Sequence, residues 1–416
     1  MAVIDHRNKT LLQEGEPFVV RNYRVRAYPS KQLQQHLAKV FGHSRFVYNQ
    51  LLASSKQACQ DHLANPTLVP KPDVSPYGLS IQLTTLKNTE GYEWLYEVSK
   101  GPLQAASHNL GDSYKSFFSK RSKAPKFKKK HHGQTAYFPG GCFTIEDGLL
   151  TLAKTDQPLR LRGARALPSY PLGVTVTKTP SGKYFVTFTV KVPKTRKSGK
   201  GVVGIDLGIK DYAVFSDGTK ITNPRHFLKL QQKLAHEQRM LSKKQKGSSN
   251  RNKQRIKVAR LHERITNIRN DFLHKLTAAI VSENQAIVVE ALKVVNMLRN
   301  HKLAKHISDA SWGKFRQMLL SKIMETSSGC LVIADSFFPS TQTCSTCGDK
   351  PQVKLTLSAR EWECPTCHSH HDRDVNAAMN LELLGKKVLL LAKQGLIPEG
   401  KQIYLSSDYG TLVHSS

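Results

Sequence analysis

At 416 residues the chain is long enough for two or three domains, and its 39% hydrophobic content excludes an intrinsically disordered protein. Lys and Arg total 63 against 31 acids, a formal charge of +32. Self-repulsion on that scale points to a polyanionic partner, with nucleic acid preferred over a ribosomal or membrane-surface role. No run approaches the roughly 20 apolar residues of a membrane span, and the first residues lack a signal-peptide core, so a cytoplasmic location is expected.

Residues 18–28 alternate as a strand that stops at Pro29. Ser30 is placed to N-cap a helix over SKQLQQHLAKVF, and SRFVYNQLLASSKQACQDHL reads as a second helical run. A proline-rich loop, NPTLVPKPDVSPYG, leads to helical segments near 79–88 and 102–119. The stretch SKRSKAPKFKKKHH (119–132) is a basic loop. Lys126, Phe127 and Lys128 within it, with Tyr137 and Phe138 just beyond, set stacking surfaces beside charge, which suits nucleic-acid contacts. A solvated surface run is the alternative.

From 140 to 195 the period changes to two. GLLTLA, LRLRG and GVTVTKTPSGKYFVTFTVKV read as strands, the last two joined by a hairpin at 180–182. A small antiparallel β-barrel is expected, completed by the strand at 18–28 across the helical insertion. The polar linker KVPKTRKSGKG (191–201) then marks a domain boundary. Beyond it the pattern is mixed α/β: two strands in VVGIDLGIKDYAVFSDGTKI, a long basic helical region over 226–282 broken near Gly247, and a strand at 286–292. A helix from SDASWGKFRQMLLSKIMETS, a strand at CLVIADSF, a cysteine cluster and a last helix near 374–384 complete it.

Cys344-x-x-Cys347 and Cys364-x-x-Cys367 supply two thiolate pairs at zinc-ribbon spacing. Four thiolates close a tetrahedral Zn²⁺ site, so one structural zinc is expected; redox-active pairs are the rival reading. His368, His370 and His371 are read as surface or outer groups. The other cysteines, Cys59, Cys142 and Cys330, are read as small buried hydrophobes.

Asp206 interrupts the apolar strand VVGIDLG, and Glu290 ends the apolar strand AIVVE. An acid in such surroundings needs a cation or donors. A salt bridge serves either one alone, whereas a third acid beside both would make a cage suited to two Mg²⁺ ions and phosphodiester hydrolysis. HDRDVNAAMNLELL offers Asp372 and Asp374, either of which could instead be the helix N-cap. Ala377 and Ala378 are small enough to let that helix start lie close to the sheet.

In this order GIDLGIKD, VVEAL, CSTCG, CPTC and HDRDVNAAMNL closely resemble the RuvC-like nuclease of the TnpB family, transposon-encoded RNA-guided endonucleases related to type V CRISPR effectors. RFVYNQLL, DFLHKLT and ISDASWGKF extend the resemblance over most of the chain. It implies an RNase H-like (RuvC) nuclease domain with inserted helices and a zinc ribbon, plus an N-terminal wedge barrel with a helical recognition insertion. It also selects Asp374 over Asp372, making Asp206, Glu290 and Asp374 the catalytic acids for two Mg²⁺ ions, with Mn²⁺ as a substitute.

The implied division is a leader and first wedge strand (1–29), a recognition domain (30–120), a wedge (121–198), the nuclease domain (199–340), the zinc ribbon (341–370), the last nuclease helix (371–390) and a partly disordered tail (391–416). The implied partners are a guide RNA from the transposon end, one protein copy per guide, and double-stranded target DNA with a short flanking motif. Tyr77, Lys100 and Gln104 are candidate readers of that motif, with ordinary surface roles as the alternative. A cutting-deficient RNA-guided repressor and a CRISPR-associated effector with array-derived guides are the competing functions; the presence of all three acids weighs against the repressor.

Overall fold

Pro29 and Ser30 decide the first transition in the chain. The strand β1 (Phe18–Tyr28) stops before the proline, and the Ser30 hydroxyl then accepts from Leu33 N at 3.2 Å to start helix α1 (Lys31–Ala64). Such a cap contributes about 1 kcal/mol. In the computed structural model α1 runs unbroken for 34 residues where two helical runs were expected. Leu33, Leu37, Val40, Phe41, Ser44, Val47, Tyr48 and Leu51 form one buried stripe straight through Gly42. That burial outweighs the roughly 1 kcal/mol cost of a mid-helix glycine.

The structure describes residues 17–130, 133–146, 149–163, 167–194, 196–197, 199–326, 328–336, 338–351, 359–394, 402–405 and 412–414. The leader before residue 17 and parts of the tail lie outside them. The chain divides into two compact units, Met1–Pro193 and Lys194–Ser416, and the boundary falls within the linker at 191–201.

In the first unit α1 packs with α2 (Pro76–Asn88) and α3 (Lys100–Phe118). Strands β2 (Gln134–Pro139), β3 (Phe143–Glu146), β4 (Leu149–Leu152), β5 (Arg160–Arg162), β6 (Gly173–Lys178) and β7 (Tyr184–Pro193) follow. β1 does return across the helices, pairing with β7 from Phe18↔Pro193 to Ala27↔Tyr184. The antiparallel sheet has the order β2-β6-β7-β1-β5, and β3 and β4 form a separate hairpin. A single bridge, Leu150↔Leu159, links that hairpin toward the β5 edge. Among the described residues the ladders stop short of a closed barrel, because no ladder returns to β2 and β5 is only three residues long.

The second unit begins with β8 (Gly201–Asp206), β9 (Asp211–Phe215) and β10 (Lys220–Thr222), followed by the helical pair α4 (His226–Ser242) and α5 (Ser249–Glu283). β11 (Asn284–Glu290), α6 (Val294–Met297), α7 (Ala304–Ala310), α8 (Trp312–Ile323) and β12 (Cys330–Ala334) come next, then β13 (Glu361–Glu363), β14 (His370–Asp372), α9 (Arg373–Lys393), β15 (Gln402–Leu405) and β16 (Leu412–His414). The sheet order is β10-β9-β8-β11-β12-β15-β16, with β8, β11, β12 and β15 parallel and the other pairings antiparallel.

Two expectations for this unit change. The helix read from SDASWGKF is broken at Ser311, whose φ of 54° ends α7 and starts α8. Just before that break Asp309, buried, accepts from Phe227 N at 2.9 Å and from Arg269 Nη2 at 2.9 Å, tying this segment to α4 and α5. The last helix also continues to Lys393, and two tail segments add β15 and β16 to the sheet edge. Cys142 and Cys330 are buried as read, while Cys59 is half-buried. Among the described residues no helix is long and apolar enough to cross a membrane.

Candidate active site and zinc centre

β8 and β11 are apolar on both faces because helices cover both, and successive side chains alternate between those covers. Val203, Ile205, Ile287 and Val289 enter the core built with Leu273, Phe315 and Ile323 of α5 and α8. Val202, Ala286 and Val288 enter the opposite core, with Leu381 of α9. Gly204 belongs to this second row, and its missing side chain is what seats α9. A Cβ there would lie 1.9 Å from the Ala378 carbonyl oxygen. Ala377 and Ala378 are fully buried, so the small residues serve the close approach expected of them.

Asp206 and Glu290 are the next members of that α9-facing row, at the C-terminal ends of neighbouring parallel strands. The register Val289↔Ile205 sets them side by side. Asp374 arrives from the first turn of α9. The two acids of HDRD have different jobs. Asp372 accepts from Asp374 N at 3.0 Å and Val375 N at 3.1 Å, capping α9, and pairs with Lys220 Nζ at 2.5 Å. Asp374 lies 3.2 Å from Arg360 Nη1 and 3.6 Å from Arg373 Nε.

Burial, reinforced by the charges of Glu290 and Asp374, pushes the Asp206 carboxyl up to about 7, against the opposing pull of Arg373 and the Leu207 N–H. Burial also raises Glu290, whose carboxylate accepts the Ser340 hydroxyl. These acids therefore repel one another in a poorly hydrated patch, a situation that a bound divalent cation relieves. An all-oxygen donor set of this kind fits Mg²⁺ or Mn²⁺. It is looser than the cysteine cluster, the group of metal-type donors among the described residues whose ligand atoms all lie within 4.8 Å.

The four cysteines come from two similar knuckles. Cys344 N donates to Asp349 O and Cys364 N to Ser369 O, while Gly348 N and His368 N close back on the carbonyls of Cys344 and Cys364. The residue after each second cysteine takes a left-handed backbone, Gly348 at φ 80° and His368 at φ 56°. The antiparallel pair β13–β14 supports the knuckles and stacks Trp362 on His371 at 4.8 Å. Cys344, Cys347, Cys364 and Cys367 thus form a closed set of donors suited to one structural zinc. His371, buried, places Nε2 3.1 Å from Cys344 Sγ, where it acts on the thiolate from outside the donor set. His368 and His370 are exposed beside Glu363.

In the first unit Lys126, Phe127 and Lys128 are exposed and line a cleft of about 970 Å³ with Arg45, Asn109 and Tyr137. Asn49 fixes this loop on α1 by accepting from Lys128 N at 2.8 Å and donating to its carbonyl at 3.0 Å. The Lys128 ammonium lies 3.8 Å over the Tyr48 ring. Asn49 and Tyr48 were not singled out from sequence, although both fall within RFVYNQLL. Lys100 and Gln104 share an exposed face of α3 one turn apart. Tyr77 is separated from them: Pro76 sits against Gly111, about 10 Å farther along α3 than Gln104.

Half-buried acids at the strand ends, a four-cysteine ribbon and a strongly basic chain describe an enzyme that acts on nucleic acid. Comparison with known proteins agrees. Residues 185–301 match the family described as "Probable transposase", and 312–381 match "Cas12f1-like, TNB domain". Residues 19–63 match a "Helix-turn-helix domain", a stretch that here forms β1 and the single helix α1. A "Putative RNA-guided DNA endonuclease" of Streptomyces pristinaespiralis is 42% identical over 371 residues, covering 88% of this chain and 90% of the relative. InsQ of Escherichia coli (strain K12), which carries the same description, is 31% identical over 386 residues, covering 88% and 92%. The fold is similar to that of a Cas12f1 chain solved with sgRNA and target DNA, at a TM-score of 0.52 and 11% identity, covering 88% of this chain and 99% of that one. The chain belongs to the TnpB family of transposon-encoded proteins.

Proposed function

We propose that this protein is a transposon-associated, RNA-guided DNA endonuclease that hydrolyses target DNA at Asp206, Glu290 and Asp374. The observation that carries the catalytic assignment is the convergence of three acids at the C-terminal ends of β8 and β11, where burial, reinforced by the charges of Glu290 and Asp374, raises Asp206 to about 7. The sheet order and the acids on its first and fourth strands and on a late helix support an RNase H-like, RuvC-type reading. Two bound Mg²⁺ ions would activate water on one side of the phosphodiester and stabilise the leaving oxygen on the other. Asp206 and Glu290 would hold them from rigid strand ends, and Asp374 from the first turn of α9. The Ser340 hydroxyl keeps Glu290 in one orientation. Arg360 neutralises Asp374 and would have to give up that contact as the cations enter.

In this reading the first unit grips a guide RNA from the transposon end and reads the motif beside the target, while base pairing supplies sequence specificity. Lys126, Phe127 and Lys128 serve the backbone, and Lys100 with Gln104 is the better-placed pair for base edges; Tyr77 would act at a separate point. The test is to purify the protein from its native locus and sequence the RNA that accompanies it. A discrete RNA is expected, and that complex should cut matching DNA in Mg²⁺. Asp206→Ala should abolish cutting and leave guide and target binding intact. Random RNA fragments would overturn the guided reading, and undiminished cutting by the variant would overturn the site.

A further inference from the structure

Glu290 and the helix carrying Asp374 are joined by a buried polar chain that passes through the first zinc knuckle. Ser340, 2% exposed, donates its hydroxyl to the Glu290 carboxylate. Its own carbonyl accepts from Asn380 Nδ2 at 2.8 Å and more weakly from Asn376 Nδ2 at 3.5 Å. The same two amides reach the carbonyl of Thr343, at 2.7 and 2.8 Å, one residue before Cys344. Asn376 Oδ1 in turn accepts from Ser345 N at 2.9 Å, one residue after it. Asn376 and Asn380 are 1% and 5% exposed and lie one turn apart on one face of α9.

We propose that Ser340, Asn376 and Asn380 are positioning residues that transmit the fold of the zinc knuckle to the carboxylate site, fixing Glu290 directly and Asp374 through the seat of α9. Buried amides with several partners hold one arrangement, because any shift strands donors and acceptors away from water. Outer hydrogen bonds of this kind orient metal-binding groups and commonly change metal affinity by about 10- to 100-fold when removed. The inference rests on the carboxylates being the nuclease site, but the link itself is visible from the zinc side as well.

Full-length protein with its guide RNA would be compared with Ser340→Ala and Asn380→Ala in three measurements: the Mg²⁺ concentration for half-maximal cutting, zinc release to a chromophoric chelator, and guide binding. Ser340→Ala cuts the link at its carboxylate end. It should raise the Mg²⁺ requirement by about 10-fold or more, with rate recovered at high Mg²⁺ and zinc release unchanged. Asn380→Ala cuts it at the knuckle and should both raise the Mg²⁺ requirement and speed zinc release about 10-fold. A wild-type Mg²⁺ requirement in Ser340→Ala would overturn the proposal, as would wild-type zinc release in Asn380→Ala. Failure of the wild type to cut would strike the nuclease reading instead, and the zinc-release comparison would still decide the link. If Asn380→Ala does not fold, Ser340→Ala decides alone.

Discussion

Asp206→Asn removes a charge that the metal-free fold holds at a cost, so it should make the apo protein more stable while removing activity. The Asp206 carboxyl moves from its ordinary 3.8 to about 7, chiefly through burial and then through Glu290 and Asp374. Over roughly three pH units at about 1.4 kcal/mol each, the ionised form costs the fold about 4 kcal/mol at pH 8. Part of the residue still meets solvent, so this is a ceiling, and a gain of about 1–3 kcal/mol is the expected reading. The sign follows from proton binding. Between pH 4 and 7 the folded state holds the proton more tightly than the unfolded chain, so wild-type stability falls as pH rises and the cost is complete above 7. Denaturant unfolding followed by tryptophan fluorescence, in magnesium-free buffer with zinc retained, measures this in the second unit through Trp312 and Trp362. The amide of the variant is uncharged and should flatten that pH dependence; added Mg²⁺ should stabilise the wild type and have little effect on the variant. Equal stability at pH 8 and an unchanged pH slope would refute the claim that Asp206 is a poorly compensated buried acid.

Cys364→Ser should lose the zinc and loosen the ribbon; stoichiometric zinc by atomic absorption would remove the tetrathiolate assignment. Asp372→Ala should cost about 1 kcal/mol as a lost helix cap, with its exposed pairing to Lys220 adding little, and it should retain cutting. Asp374→Ala should do the reverse, abolishing cutting with little loss of stability, and equal loss of cutting in both variants would undo the division of roles between these acids. Gly204→Ala drives a methyl into the Ala378 carbonyl, 1.9 Å from its built position, and α9 must shift to admit it. A loss of about 1–3 kcal/mol is expected in a melt of the whole protein, together with weaker Mg²⁺ binding, and a neutral result would refute the close seating of α9 on β8.

Acids set in apolar strands and cysteines in paired knuckles announce themselves locally, and so Asp206, Glu290 and the four cysteines were legible in the sequence. That both acids fall in the row facing α9 was not legible in the sequence, because strands apolar on both faces do not show which row meets which helix. The local pattern left Asp372 and Asp374 open, and only the family resemblance chose between them. Two acids separated by one residue compete for one cap, and the outcome depends on where α9 begins, which is set by the β13–β14 pairing just before it. Ser340 was invisible for a different reason. A serine in a loop has no pattern around it, and its partners lie 50 residues back, at Glu290, and 40 residues on, at Asn380. The unbroken course of α1 is not legible in the local sequence, where Gly42 separates two helical runs, but the buried stripe continues past it from Phe41 to Ser44 and Val47.

Asp309 shows what separates a site from a structural acid. Like Asp206 it sits beside apolar residues, and it is the more buried of the two, in a segment, ISDASWGKF, that carries part of the family resemblance. Its charge is met in full by Arg269 and by the backbone of α4, so its location does mechanical work and leaves nothing for a ligand. Asp206 has only a partial offset from Arg373 and one backbone N–H, against two neighbouring acids. Exposure alone would favour Asp309, the more buried of the two. What distinguishes the active-site candidate is burial combined with a deficit of positive charge, and in a chain carrying +32 overall that deficit is a local arrangement that only the fold could create.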